Sequence, residues 1–159
     1  MEKQDSLQKI RSVANYQFGS GAGEALLPKK VTIKFSKKTG KIRFIYLKND
    51  LLATLRARDG MLALTLCGAR RLLRKFPRPK FRVVVSNDVV DFIREGRNVF
   101  AKHVVEADAE IRPFEEVAVT DGNDKVIAVG RALLTGREML VFKRGVAVKV
   151  RKGLKGDNP

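Results

Sequence analysis

Phe81-Arg82-Val83-Val84-Val85 and, after a short spacer, Glu95-Gly96-Arg97-Asn98-Val99-Phe100-Ala101-Lys102-His103-Val104 open the second half of this 159-residue sequence. The first run ends in three consecutive valines and predicts a strand, because branched side chains suit a pleated, half-buried surface. Ser86 or Asn87 can cap a short helix that ends before Gly96, and Val99 to Val105 predicts a second strand. Further on, Val117–Thr120 and Val126–Leu134 flank Asp121-Gly122-Asn123-Asp124, a strong hairpin signal. Met139–Lys143 and Val146–Arg151 predict one more pair of strands, turning at Arg144-Gly145. Five or six short strands with one helix in about 75 residues predict a small, mostly-β barrel. The final residues, 153–159, are expected to form a flexible tail.

Upstream, the pattern changes. Lys75-Phe76-Pro77-Arg78-Pro79-Lys80 breaks periodic structure with two prolines and marks a domain boundary, giving domains over 1–77 and 78–152. Leu7, Ile10, Ala14 and Phe18 recur on one face at helical spacing, with Asp5 and Ser6 as capping candidates and Gly19 as a stop. Gly19-Ser20-Gly21-Ala22-Gly23 follows a helix, not a strand, so it reads as a turn and not as a dinucleotide loop. Val31, Ile33 and Phe35 alternate with polar neighbours, Lys38-Thr39-Gly40-Lys41 turns the chain, and Ile42, Phe44 and Tyr46 continue the alternation on the return strand. Leu51–Arg56 predicts a third strand. Met61–Leu66 reads either as a fourth strand or as the lead into a helix. Gly68–Phe76 predicts a helix with Leu72, Leu73 and Phe76 inward and four cations outward. The fold class is therefore α+β: a small N-terminal α+β domain with an antiparallel sheet, then a mostly-β barrel.

Charge points to the partner. Lysine and arginine total 33 against 17 acids, a net of +16. The imbalance is uneven: residues 1–78 carry 18 cations against 5 acids, and residues 79–159 carry 15 against 12. A polyanion fits this surplus, since cations beside a phosphate backbone release condensed counterions. No apolar run is long enough for a spanning helix and the polar start lacks a signal-like core, so neither membrane insertion nor export is expected and the cytoplasm is the default. One cysteine, Cys67, excludes an internal disulfide and a cysteine-cluster metal site; with His103 as the single histidine, no metal site and no nucleophile–histidine relay are expected. Cys67 lies in an apolar stretch and is expected to be a small core residue. No cofactor, catalytic residue or small-molecule substrate is evident.

Several blocks carry a family resemblance. The strand at Phe81 and the segment Glu95–Val104 resemble the opening of a PUA domain, the RNA-binding module named for pseudouridine synthases and archaeosine transglycosylases. Ile111-Arg112-Pro113, Glu116-Val117-Ala118-Val119, Ala128-Val129-Gly130-Arg131-Ala132 and Arg144-Gly145-Val146-Ala147-Val148-Lys149-Val150-Arg151 are similar to its later strands. In the first half, Tyr16-Gln17-Phe18-Gly19, Ser36–Arg43, Leu52–Arg56, and Asp59-Gly60 with Leu64–Ala69 resemble the segment before the PUA domain in archaeosine tRNA-guanine transglycosylases. The resemblance spans roughly 12 to 152 and makes the barrel a PUA pseudo-barrel. It implies RNA binding. It does not imply catalysis, because in that family the base exchange takes place in a large barrel with catalytic aspartates and a zinc site, for which this sequence has neither length nor ligands.

The resemblance also proposes contacts. Gly96, Arg97, Asn98, Val99, Phe100, Lys102 and His103 correspond to the loop and strand that hold RNA in PUA domains. Arg144, Lys149 and Arg151 belong to the last strand and its entry. By themselves, Gly96 reads as a helix stop and His103 as a structural residue with a satisfied hydrogen bond. Lys149 and Arg151 lie two apart and are expected on one strand face. In the first half, Lys37, Lys38, Lys41 and Arg43 crowd one hairpin and are candidates for phosphate contact. With 7% aromatics and no tryptophan, backbone and shape recognition are expected to outweigh base stacking. The expected function is tRNA recognition, at the acceptor region and without a catalytic site, alone or as the binding subunit of a transglycosylase whose catalytic part is a separate chain. A ribosome-assembly or translation factor using the same module is the alternative. Carboxylate pairs such as Glu115-Glu116 or Asp88 with Asp91 offer poor geometry for acid–base chemistry.

Overall fold

The computed structural model describes residues 2–157, and these divide between Lys75 and Phe76 into two compact units, unit 1 before the break and unit 2 after it. Unit 1 begins with helix α1 (Glu2–Phe18) and the short helix α2 (Ala22–Leu26). An antiparallel sheet of four strands follows, β1 (Thr32–Phe35), β2 (Ile42–Leu47), β3 (Asp50–Leu55) and β4 (Leu62–Leu64), in sequence order. Helix α3 (Leu66–Lys75) closes the unit. Leu7, Ile10, Ala14 and Phe18 are all buried, so the face read from spacing is the one that packs. Asp5 and Ser6 do not cap α1, which starts before them. Met61–Leu66 supplies both of its alternatives, a short strand and then the start of α3.

Register corrects the hairpin. Ile33 lies opposite Ile45, Ile45 opposite Ala53, and Ala53 opposite Leu64. Ile45 and Ala53 are fully buried and Leu64 nearly so, so this row faces the core. Phe44 and Tyr46 therefore turn to the other face, and Phe35 is about half exposed. Because side chains alternate strictly along a strand, a one-residue offset in the return strand moves its whole apolar set. Cys67, expected in the core, is partly exposed on α3.

Unit 2 has six strands: β5 (Arg82–Val85), β6 (Val99–Phe100), β7 (Val104–Ala107), β8 (Glu116–Thr120), β9 (Val126–Ala132) and β10 (Val146–Gly153). They pair in the order β6-β10-β9-β8-β5-β7, with β5 and β8 parallel. The two end strands, β6 and β7, are joined by the single 3-10 turn Ala101–His103, so the sheet curls into a nearly closed barrel. Its core is dominated by valine and alanine, with Ile93, Ile127 and Met139. Small and β-branched residues fill a barrel this narrow without strain. The predicted strand Val99–Val105 is thus interrupted: two residues pair with β10, the turn crosses the barrel end, and the chain resumes beside β5.

The predicted strand at Met139–Lys143 is instead helix α5 (Gly136–Val141). Thr135 Oγ1 accepts from Glu138 N–H, and Glu138 accepts in return from Thr135 N–H. This reciprocal capping box satisfies two end donors and outweighs the apolar run that resembled a strand. Arg82, only 3% exposed, donates to both carboxylate oxygens of Asp124 and to the carbonyls of Phe76 and Lys80. A buried guanidinium with four such partners fixes the entry to β5 against the β8–β9 turn. Residues 153–157 of the expected flexible tail are ordered: Gly153 is buried at the end of β10, and Leu154–Asp157 form a 3-10 turn. The remaining tail residues, 158–159, lie outside the described residues.

Candidate nucleic-acid interface

Helix α4 (Val90–Arg94), entered through a 3-10 turn at Asn87–Val89, ends at Glu95. Gly96 follows with φ of 104°. Its N–H donates to Ile93 O at 2.9 Å, and Arg97 N–H donates to Phe92 O at 3.2 Å. These two bonds form a Schellman motif, which requires left-handed backbone at the glycine position. A Cβ on Gly96 would meet nothing within 4 Å, so the requirement is conformational and the space beside it is open. Gly96 is thus the helix stop that its own context implies, and the stop exposes the loop after it.

The loop is tied to the last strand. Asn98 Oδ1 accepts from Val150 N–H at 3.0 Å, which leaves the Asn98 amide donors facing outward. Val99 is fully buried and Phe100, its neighbour on β6, is 48% exposed. Val99 can therefore offer only backbone to a ligand. Lys102 is exposed on the 3-10 turn, whereas His103 is partly buried and its carbonyl accepts from Ser86 N–H. Ser86 Oγ donates to Asp88 Oδ1 at 2.6 Å, so Ser86 does not cap the helix backbone as expected. That bond, first, and the Asp88 backbone N–H and the His103 charge after it hold the Asp88 carboxyl below its ordinary value.

Gly145, with φ of 96°, accepts from Ala101 N–H and brings Arg144 to the same barrel edge as Lys102. Lys149 is exposed on β10. Arg97, Lys102, Arg144 and Lys149 have no carboxylate partner among the described ion pairs, and nearby Glu95 is engaged by Lys155 at 3.1 Å. The edge formed by the 96–98 loop, β6, the 3-10 turn and β10 is therefore a one-signed surface. Sequence reasoning missed its apolar part: Phe92, Leu140, Val141 and Phe142 are all more than 40% exposed, and the Arg97 guanidinium lies 5.5 Å from the Phe92 ring centre. The signal was Leu140-Val141-Phe142 itself, three large apolar residues at the end of a short helix.

Arg151 does not stand beside Lys149 as alternation predicts. β10 changes register between Val150 and Lys152, leaving Arg151 as the extra residue of a bulge. Its guanidinium donates to both oxygens of Glu116, whose side chain is fully buried, so this cation is already matched. Glu116 is thereby structural; Glu115 accepts from Arg112 N–H in a surface turn. In unit 1, Lys37, Lys38 and Lys41 are exposed in the β1–β2 turn, and Arg43 is a bulge residue of β2.

Comparison with known proteins agrees with both units. Residues 8–79 match the family of the patch-forming domain C2 of tRNA-guanine transglycosylase, and residues 81–154 match the PUA domain family. The chain is 49% identical to a tRNA-guanine(15) transglycosylase of Thermococcus kodakarensis over 153 residues, which is 96% of this chain and 26% of that protein. A relative of the same name in Methanobrevibacter smithii is 48% identical, covering 95% of this chain and 23% of the relative. The chain therefore spans about a quarter of the length of the curated relatives it matches. Among solved structures, a hypothetical protein of Pyrococcus horikoshii is similar with a TM-score of 0.72 and 28% identity, over 96% of this chain and 92% of that one. No described helix is long and apolar enough to cross a membrane.

Proposed function

We propose that this chain, which joins a patch-forming C2 domain of tRNA-guanine transglycosylase to a PUA domain, binds the acceptor region of tRNA in the cytoplasm without carrying a catalytic site. It supplies tRNA recognition to an archaeosine-type transglycosylase whose base-exchanging part is a separate chain. The observation that carries this reading is the one-signed barrel edge, where Arg97, Lys102, Arg144 and Lys149 are exposed and unmatched. Phosphates take the four cations, and the Asn98 amide donors and the open space at Gly96 admit close backbone approach. Arg151 and Glu116 hold the strand that presents Lys149. The buried Glu116 is paired with Arg151, and the partly exposed Asp124 with Arg82, so each already holds a structural partner.

The test is a binding titration with full-length tRNA, the same tRNA lacking its 3′ CCA, and an unrelated duplex, at two salt concentrations. Preference for the intact tRNA at the higher salt supports acceptor-end recognition. Equal, steeply salt-dependent binding to all three overturns it and favours a general or ribosomal RNA role.

A further inference from the structure

The outer face of the unit 1 sheet is not used by the reading above. Lys34 lies opposite Phe44, Phe44 opposite Thr54, and Thr54 opposite Ala63, so these four residues form a row across all four strands. The row alternates with the inward-facing one, partly buried Ile33 and buried Ile45, Ala53 and Leu64, against whose strands α1 and α3 pack. Beside it, Tyr46 sits opposite Thr32. Phe44 and Tyr46 are both partly exposed, with ring centres 6.5 Å apart and planes tilted by 48°. Lys34 Nζ lies 5.0 Å from the Tyr46 ring centre, and the Arg43 guanidinium 5.7 Å from that of Phe44. Arg43 reaches this face because it is the extra residue where β2 pairs with Lys34 and Phe35, and a bulge re-aims its side chain.

Around the β1–β2 part of this face the charge has one sign. From residue 25 to residue 49 the sequence holds Lys29, Lys30, Lys34, Lys37, Lys38, Lys41, Arg43 and Lys48, and no aspartate or glutamate. A ligand for it must offer many negative charges and a π face. An acidic peptide supplies the first and a small aromatic molecule the second; an unpaired stretch of nucleic acid supplies both.

We propose that the outer face of the unit 1 sheet binds single-stranded nucleic acid, with unpaired bases stacked at Phe44 and Tyr46 and phosphates held by Lys34, Arg43 and the flanking lysines. Stacking of this kind tolerates any base, because each has a π face, so the site selects for unpaired structure and not for sequence. It does not depend on the barrel edge of unit 2.

The chain reports on this site by itself. It contains two tyrosines and no tryptophan, so Tyr16→Phe leaves Tyr46 as the emitter. The full chain with that substitution is titrated with an oligouridylate of about ten nucleotides, with an abasic ribose-phosphate oligomer of equal length, and with polyglutamate. The expected result is saturable quenching of Tyr46 by the oligouridylate, and none by the abasic oligomer or the peptide. Phe44→Leu, checked by thermal melting, shifts the quenching midpoint to about 5- to 150-fold higher oligouridylate, the range for losing one stacked base. Replacing Lys102 and Lys149 of unit 2 with alanine leaves that midpoint within twofold, which separates this site from the acceptor-region reading. Absence of quenching at saturating oligouridylate, or equal quenching by polyglutamate, overturns the proposal.

Discussion

Removing Arg151 should act through the fold and not through a lost phosphate contact of its own. Glu116 is fully buried at its side chain, and the Arg151 guanidinium meets both of its oxygens. Arg151→Ala leaves the carboxylate in the barrel wall without this counter-charge. Breaking a buried pair from one side costs about 3–5 kcal/mol. We take the lower end, about 3 kcal/mol, for two reasons. Arg151 is itself 39% exposed, so water can enter the vacated space. Arg131 also lies opposite Glu116 on β9 and can absorb part of the charge. For a domain of this size the loss corresponds to a fall in Tm of roughly 12–24 °C. The assay is thermal unfolding of wild type, Arg151→Ala and the double variant with Glu116→Gln. The double variant should recover part of the loss at pH 7. A deficit below about 1 kcal/mol, or no recovery in the double variant, would refute the buried-pair explanation.

Other consequences are equally direct. Gly130→Ala places a Cβ 2.3 Å from Lys149 O across the β9–β10 pair, and should cost about 3 kcal/mol in a denaturant melt, with RNA affinity falling alongside because Lys149 moves. Lys102→Ala and Lys149→Ala should each reduce the slope of log affinity against log salt for tRNA by about 1, without altering the melting curve. Ser86→Ala removes the first cause of the low Asp88 pKa, so the Asp88 carboxyl resonance should titrate closer to its ordinary 3.8. In wild type the stabilisation from that depressed carboxyl is complete at neutral pH and is lost only as pH falls below 3.8.

How much of this was legible in the sequence depends on whether a feature is local. The α1 face was, because Leu7, Ile10, Ala14 and Phe18 obey one period and all pack. The helix stop at Gly96 was, because left-handed backbone is a property of one residue. Register was not. Both Phe44 and Ile45 are apolar, and only pairing with Ile33 and Ala53 decides which one enters the core. Helix α5 was misread although Thr135 and Glu138 stand at capping-box spacing, because Met139-Leu140-Val141-Phe142 mimics a strand. The candidate edge was legible as a region and not residue by residue. Nothing in the local sequence separates Lys149, which is open, from Arg151, which is taken by an acid 35 positions away.

Acceptor-region binding stands or falls on where RNA touches the barrel. The most direct measurement is amide chemical-shift mapping of the full chain with an acceptor-stem minihelix ending in CCA. The largest shifts are expected on Gly96, Arg97, Asn98, Lys102, Arg144 and Lys149, with Arg82 and Asp124 on the β5 side unchanged. Shifts centred on the β5–β8 side, with the 96–102 segment silent, would contradict it.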